Sequence, residues 1–199
     1  TTITFFQLVF SSLAAYSFAR IQFPGRDLIF MGYLATMMIP GQVTLIPGYI
    51  LIKYLGWVDS MYALTVPFLF GSAFGTFLLR QFFLSIPTEL EDAARIDGSG
   101  SVGPDLRIIL PLSKPALATL GVFVFLTFWN DFLWPLIVIN TNERRTLQPG
   151  LAVLSQGYYG TDWTALMAGT VISLAPILII FFSAQRYFVQ GITLTGIKG

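Results

Sequence analysis

TALMAGTVISLAPILIIFFSA, residues 164–184, carries no charged side chain from Thr164 to Ala184. A helix needs roughly 20 residues to cross the hydrocarbon core of a bilayer, and this run supplies them. It also lacks the alternation of apolar and polar residues that a membrane barrel strand requires, so a helix is the only spanning structure it can form. Working outward, four more apolar stretches are of comparable length: Thr2 to Ala19, Leu28 to Ile52, Met61 to Leu79 and Pro115 to Ile139. The reading is an all-α membrane protein with five spans. The whole composition agrees, since only 11% of the 199 residues are charged and 55% are hydrophobic. A soluble domain usually carries about 25% charged residues.

The same composition excludes several functions. Eleven Lys and Arg against ten Asp and Glu leave a net charge of +1, without the basic excess that nucleic acid binding needs. There is no Cys and no His. Disulfides, thiolate or imidazole metal sites and His-dependent catalytic triads are therefore ruled out together. The opening Thr1-Thr2 lies inside an apolar stretch without a basic flank, which reads as the interior of a longer protein and not as a signal peptide.

Breakers punctuate the spans. Pro40, Gly41 and Pro47 predict a kink in the second stretch. Pro67, Gly71, Ser72 and Gly75 form a small-residue seam in the third, suited to close helix packing. Asn130 and Asp131 fall within the fourth, where an acid must face the bundle or a pathway. Helical spacing puts Phe123, Leu126, Thr127, Asn130 and Trp134 on one face, so Thr127, Asn130, Asp131 and Trp134 are candidates for a translocation path; locking of neighbouring helices is the equal alternative for Asn130 and Asp131. Trp57, Tyr62, Trp163 and Tyr187 lie near span ends, as interfacial anchors do.

Orientation follows from basic residues. With the loop after the first span inside, Arg20, Arg26, Arg80, Arg95, Arg107, Lys114, Arg186 and Lys198 are cytoplasmic, against Lys53, Arg144 and Arg145 outside. The segment between Arg80 and Lys114 is then a long cytoplasmic connection holding Glu89, Glu91, Asp92, Asp97 and Asp105. Ser85-Ile86-Pro87-Thr88-Glu89 reads as a helix start. Asp97-Gly98 stops that helix, Ser99 or Ser101 caps a second, and Pro111 closes it. The predicted product is a two-helix knob. Outside, Gln156, Gly157, Tyr158 and Tyr159, with Gly160, form a protruding turn suited to contact with a protein or the membrane surface.

Asp92-Ala93-Ala94, then Gly98, then Ile108, Leu110 and Pro111 resemble the EAA loop of ATP-binding-cassette importer permeases. Six of seven fixed positions match, and Asp92 stands where that family usually has Glu. Phe23-Pro24-Gly25-Arg26, Met38-Ile39-Pro40, Leu45-Ile46-Pro47, the stretch Phe77 to Phe83 and the stretch Trp129 to Leu136 are similar to the carbohydrate-uptake, MalG-like branch. The resemblance implies a type I permease bundle related to MetI and MalG, with the first of six usual spans missing, spread over residues 1–199 as one permease domain. Residues 85–112 would be its cytoplasmic coupling loop, with Glu89, Leu90, Asp92, Ala93, Ala94, Gly98, Ile108, Leu110 and Pro111 meeting an ATPase dimer. It implies a second related permease as partner and an extracytoplasmic sugar-binding protein that touches Gln156 to Tyr159. It implies residence in a bacterial or archaeal cytoplasmic membrane. The chain would bind no cofactor or metal and catalyse nothing, since it lacks a GxxxxGK[ST] loop; ATP and Mg would sit on the ATPase. A permease for an amino acid or phosphonate, and more remotely a secondary transporter, are the competing readings. The tail Gly191 to Gly199, with three glycines and one charge, is expected not to form a stable helix by itself.

Overall fold

The computed structural model describes residues 1–90, 108–155 and 161–195, with side chains as far as Gln185. The described residues contain helices and turns, without strands. Helix α1, Thr2–Arg20, ends as Ile21 turns extended ahead of Pro24. Helix α2, Arg26–Ala35, begins after Gly25. Helix α3 is Gly41–Tyr54 and α4 is Met61–Thr65. Helix α5, Ala73–Ser85, continues α4 after a short turn, and together Met61–Ser85 is long and apolar enough to span. Helix α6 is Lys114–Trp129, α7 is Leu133–Val138, α8 is Leu147–Ser155 and α9 is Trp163–Thr195.

Two of the five expected spans are broken. The second bends by 93° between α2 and α3, so it is a broken span or a re-entrant loop and not a kinked helix. The cause is local: Ile39 precedes a proline and is driven extended, and Pro40 brings no N–H. Pro47, by contrast, stays inside α3. The fourth stretch ends as a helix at Trp129 and restarts at Leu133. Pro135 has no N–H for the carbonyl of Asp131, four residues back, and its ring crowds that carbonyl. The 16 residues of α6 reach about 24 Å, short of a bilayer core. By length and composition three helices can cross a membrane, or four if the bent pair counts as one. This corrects the count of five. Gly191 to Thr195 of the tail are helical as a continuation of α9 and not by themselves. Extending an existing helix is far easier than nucleating one. Residues 196–199 lie outside the described part.

Helix α1 packs most extensively on α5, and α6 on α9, with α6 also against α1. The α1–α5 pair is parallel, since Gln7 meets Phe68, Ser11 meets Ser72 and Arg20 meets Phe83. The seam expected from small residues lies here. A Cβ on Gly75 would come within 2.8 Å of Ser11 Oγ and 3.0 Å of Ser72 Oγ. Gly71 holds φ +78 in the turn before α5, with Ser11 backbone N 3.3 Å from where a Cβ would lie. Ser72 then caps α5, its hydroxyl accepting from Gly75 N–H at 3.0 Å. Below the seam, Ala15, Tyr16, Ala19, Leu79, Phe83, Ile86, Ile109, Ala116, Leu120 and Val124 form the larger core. A second core joins Ile52, Ala63, Val138 and Ile139. Most of α9 faces outward, with Val171, Ile172, Ile179 and Phe182 exposed, as a lipid- or partner-facing helix must.

The second core is closed by Asp59, a residue the sequence reading passed over. It sits at φ +59, a conformation that Asp tolerates better than most residues. Its N–H donates to Val138 carbonyl at 2.7 Å, and its carboxylate accepts from Asn140 N–H at 2.9 Å and Thr141 N–H at 3.0 Å. Arg144 donates to its carbonyl. These backbone hydrogen bonds, Thr141 first and then Asn140, hold the Asp59 carboxyl below its ordinary value of 3.8.

Two outcomes follow from this packing. Gly75→Val should lower the detergent-solubilised unfolding midpoint by the equivalent of about 1–3 kcal/mol, with Ser11→Ala recovering part of the loss; additive effects would mean the seam is not a contact. For Asp59, a depressed folded pKa contributes stability above the unfolded value, which is lost as pH falls through the folded one. Through this group thermal stability should therefore not vary with pH near neutrality and should decline below about pH 4, and Asp59→Asn should flatten that decline while keeping the left-handed turn.

Candidate functional site

The two ends of the segment between α5 and α6 are anchored in the bundle. Ile86 and Ile109 are both buried in the larger core, the latter completely. Between them the described part begins a helix at Glu89 and Leu90, as expected from Pro87-Thr88, with Leu90 exposed. At the far side Ile108 and Leu110 are half-buried and Pro111 is exposed. Ile108 and Ile109 are already helical, and the helical run ends at Leu112, one residue past Pro111, where Ser113 makes the turn into α6. Asp92, Ala93, Ala94 and Gly98 lie outside the described residues.

The root of this segment is tied by two arginines. Arg20, last in α1, donates to the carbonyls of Phe83 at 2.7 Å and Ile86 at 2.6 Å. Arg80, in α5, reaches back: its Nε donates to Phe18 carbonyl at 3.1 Å. Its guanidinium also lies 4.3 Å from the centre of the Phe30 ring and 3.8 Å from Asp27. In the sequence Arg20 was legible only as a counted charge, and Arg80 as that and as part of the Phe77 to Phe83 stretch, with no role assigned to either. No spacing signal distinguished them, because their acceptors are main-chain carbonyls more than sixty positions away.

A cavity of about 220 Å³ lies where α1 begins, among α4, α6 and α7. Asp131 and Trp134 line it with Phe125, Phe128 and Trp129. Of the four path candidates, the structure thus brings these two together and not the others. The break after Trp129 removes Trp134 from the face it was expected to share with Phe123, Leu126 and Asn130. Thr127 is exposed and donates to Phe123 carbonyl at 2.8 Å. Asn130 donates to Leu126 carbonyl at 3.0 Å, and Gln148 of α8 approaches its Oδ1 at 3.4 Å. The Asp131 carboxylate faces the backbone N–H groups of Trp134, Leu133 and Phe132, where α7 starts. Trp134 donates its indole N–H to Ala63 carbonyl at 3.0 Å. Asn130 thus touches a neighbouring helix through Gln148, whereas the backbone groups that face Asp131 belong to the residues that follow it in the chain.

Of the expected anchors, Tyr62 and Trp163 are exposed, whereas Trp57 packs partly buried on the second core; nothing is described of the Tyr187 side chain. Gln156, Gly157, Tyr158 and Tyr159 lie outside the described residues.

The sequence matches the family described as binding-protein-dependent transport system inner membrane component over residues 7–194. The arabinooligosaccharides transport system permease protein AraQ of Halalkalibacterium halodurans is 40% identical over 192 residues, which cover 96% of this chain and 68% of that protein. The sn-glycerol-3-phosphate transport system permease protein UgpE of Pectobacterium atrosepticum is 38% identical, over 96% of this chain and 68% of its own. Among solved structures, a chain of a bacterial ABC transporter involved in the import of the acidic polysaccharide alginate superimposes with a TM-score of 0.76 at 26% identity, covering 94% of this chain and 73% of that one. The helical bundle and the match over nearly the whole sequence agree: the chain belongs to the family of binding-protein-dependent ABC importer permeases, and is a non-catalytic, multi-pass subunit of the inner membrane.

Proposed function

We propose that this chain is one half of a permease heterodimer that imports a sugar, driven by an ATPase dimer that docks on residues 85–112 from the cytoplasm. The observation that carries the docking is the root of the segment: a connection anchored at Ile86 and Ile109 and clasped by Arg20 is seated firmly enough to pass a displacement into α1, α5 and α6. Uphill transport requires a cycle between states of different affinity, and a chain without its own nucleotide loop must receive that energy by contact. ATP and Mg belong to the ATPase, and this chain binds neither. Glu89, Leu90, Asp92, Ala93, Ala94, Gly98, Ile108, Leu110 and Pro111 form the docking knob, with Asp92 paired to a basic residue of the ATPase cleft. Gln156 to Tyr159 meet the extracytoplasmic binding protein. Asp131 and Trp134 are the path candidates that the cavity supports.

A sugar is favoured because AraQ, a permease for arabinooligosaccharides, is 40% identical over nearly the whole chain. A phosphorylated polyol is the second reading, favoured by the 38% identity to UgpE. Uptake into proteoliposomes containing the full complex and its cognate binding protein, with arabinotriose and sn-glycerol-3-phosphate offered in parallel, decides between them; uptake of neither, with an amino acid accepted, would overturn the sugar assignment.

Because the chain has no Cys, single cysteines at Ser101 and Asn142 give a clean topology assay. An impermeant maleimide should label Asn142→Cys from outside and Ser101→Cys only after the membrane is opened. At the docking contact, Asp92→Lys should weaken co-purification of the ATPase by about 2–5 kcal/mol, Asp92→Glu should be mild, and an acid at the facing ATPase position should restore assembly. A coupling energy near zero with every basic residue of the cleft would remove the ion pair.

A further inference from the structure

Helices α1 and α5 run parallel and end side by side, so the negative ends of their dipoles and their open last carbonyls crowd together at one end of the bundle. Two guanidinium groups cross this gap in opposite directions. Arg20 of α1 takes the α5 carbonyls of Phe83 and Ile86, and Arg80 of α5 takes the α1 carbonyl of Phe18. Neither bond is placed where it only terminates its own helix. Ile86 is the residue at which α5 gives way to the 85–112 segment, and its carbonyl is held three positions before that segment turns helical at Glu89. The Arg80 side chain is largely buried, at 14% exposure, and is seated against Phe30, which fixes α2 to the same joint.

We infer that Arg20 and Arg80 are positioning residues for energy coupling: their crossed clasp makes α1, α5 and the start of the 85–112 segment move as one body when the ATPase displaces that segment. The inference rests on the docking reading given above. A flexible joint at Ile86 would let the segment swing without moving the helices. One guanidinium nitrogen holding both the Phe83 carbonyl, in the last turn of α5, and the Ile86 carbonyl, at the joint, ties the two together against that rotation, and a rotating ammonium holds them less firmly.

The test uses the whole complex in proteoliposomes, with unliganded binding protein and with binding protein loaded with arabinotriose. Arg20→Gln, Arg80→Gln and the corresponding Lys variants are compared for ATPase recovered on co-purification and for hydrolysis per recovered complex. The clasp predicts that the Gln variants assemble with the ATPase yet lose about two- to thirtyfold in the ratio of stimulated to basal hydrolysis, with Lys intermediate. It also predicts that the double Gln variant loses less than the product of the single effects, because both arginines hold one joint. Unchanged ratios in variants that assemble overturn the inference. So does a loss of complex alone, with the ratio preserved in the Lys variants, which would mark a merely structural role. Asp92→Lys, run alongside, separates the two failures: if it leaves assembly and hydrolysis intact, the docking reading itself is wrong, whereas if it abolishes them while the arginine variants stay coupled, only the clasp is rejected.

Discussion

A bilayer core offers no water to the carbonyl and N–H groups that a broken helix exposes, and each one left open there costs several kcal/mol. This chain breaks its helices repeatedly, and its packing is organised around closing those gaps with side chains. Pro67 has no N–H for the Ala63 carbonyl, four residues earlier, and the indole N–H of Trp134 takes it. The turn after Phe68 frees the carbonyl of that residue, and the Gln7 side-chain N–H donates to it at 2.9 Å. Ser72 N–H, at the other side of that turn, approaches Ser11 Oγ at 3.4 Å. In α9, next to the Ile172 carbonyl that Pro176 leaves without a helical donor, Ser173 carbonyl receives the indole N–H of Trp129 at 3.1 Å. Gln7 and Ser11, two of the buried polar residues of α1, are thus explained by what α5 and its approach lack, while Ser12 donates to the Leu8 carbonyl of its own helix.

The same constraint explains why helices meet where they do. Apolar surface alone gives little reason for two helices to associate in lipid, where the surroundings are equally apolar. Close backbone approach at Gly71 and Gly75, together with hydrogen bonds from α1 to the broken approach of α5, supplies a specific reason. Trp134 does likewise for α7 and α4. A site that was expected to present an aromatic ring to a transported solute is first of all a repair of the backbone, and only its ring face remains for the cavity.

Legibility in the sequence divides along that line. Long apolar runs, the small-residue seam and the helix start at Glu89 could be read from composition and spacing, because each depends on residues near one another in the chain. The seam came through intact, since glycine and serine have few uses in a span other than close packing. What could not be read was how far a proline would bend its helix. Pro47 leaves α3 continuous, whereas Pro40, followed by Gly41, turns the chain through 93°. The difference lies in whether neighbouring residues can carry the helix past the gap, and no periodicity reports that. Arg20, Arg80 and Asp59 were missed for a related reason: their partners are backbone atoms, which have no sequence signature.

Energy entering such a bundle from one end has to cross joints that the breaks would otherwise make compliant. The larger core lies at the root of the 85–112 segment, where Ile86 and Ile109 are buried against α1, α5 and α6, and the arginine clasp closes the same joint. The second core and the Asp59 lock lie on α3, α4 and α7, beyond the breaks at Pro40, Phe68 and Asn130. Stiffness is therefore concentrated at two places, and the interruptions fall between them. A displacement applied at Glu89 is carried rigidly through α1 and α5, while the turns between the two cores are the segments whose hydrogen bonds rest on single side chains. Those turns are where a change between two packed arrangements meets the least resistance, and the one after Asn130 borders the cavity that holds Asp131.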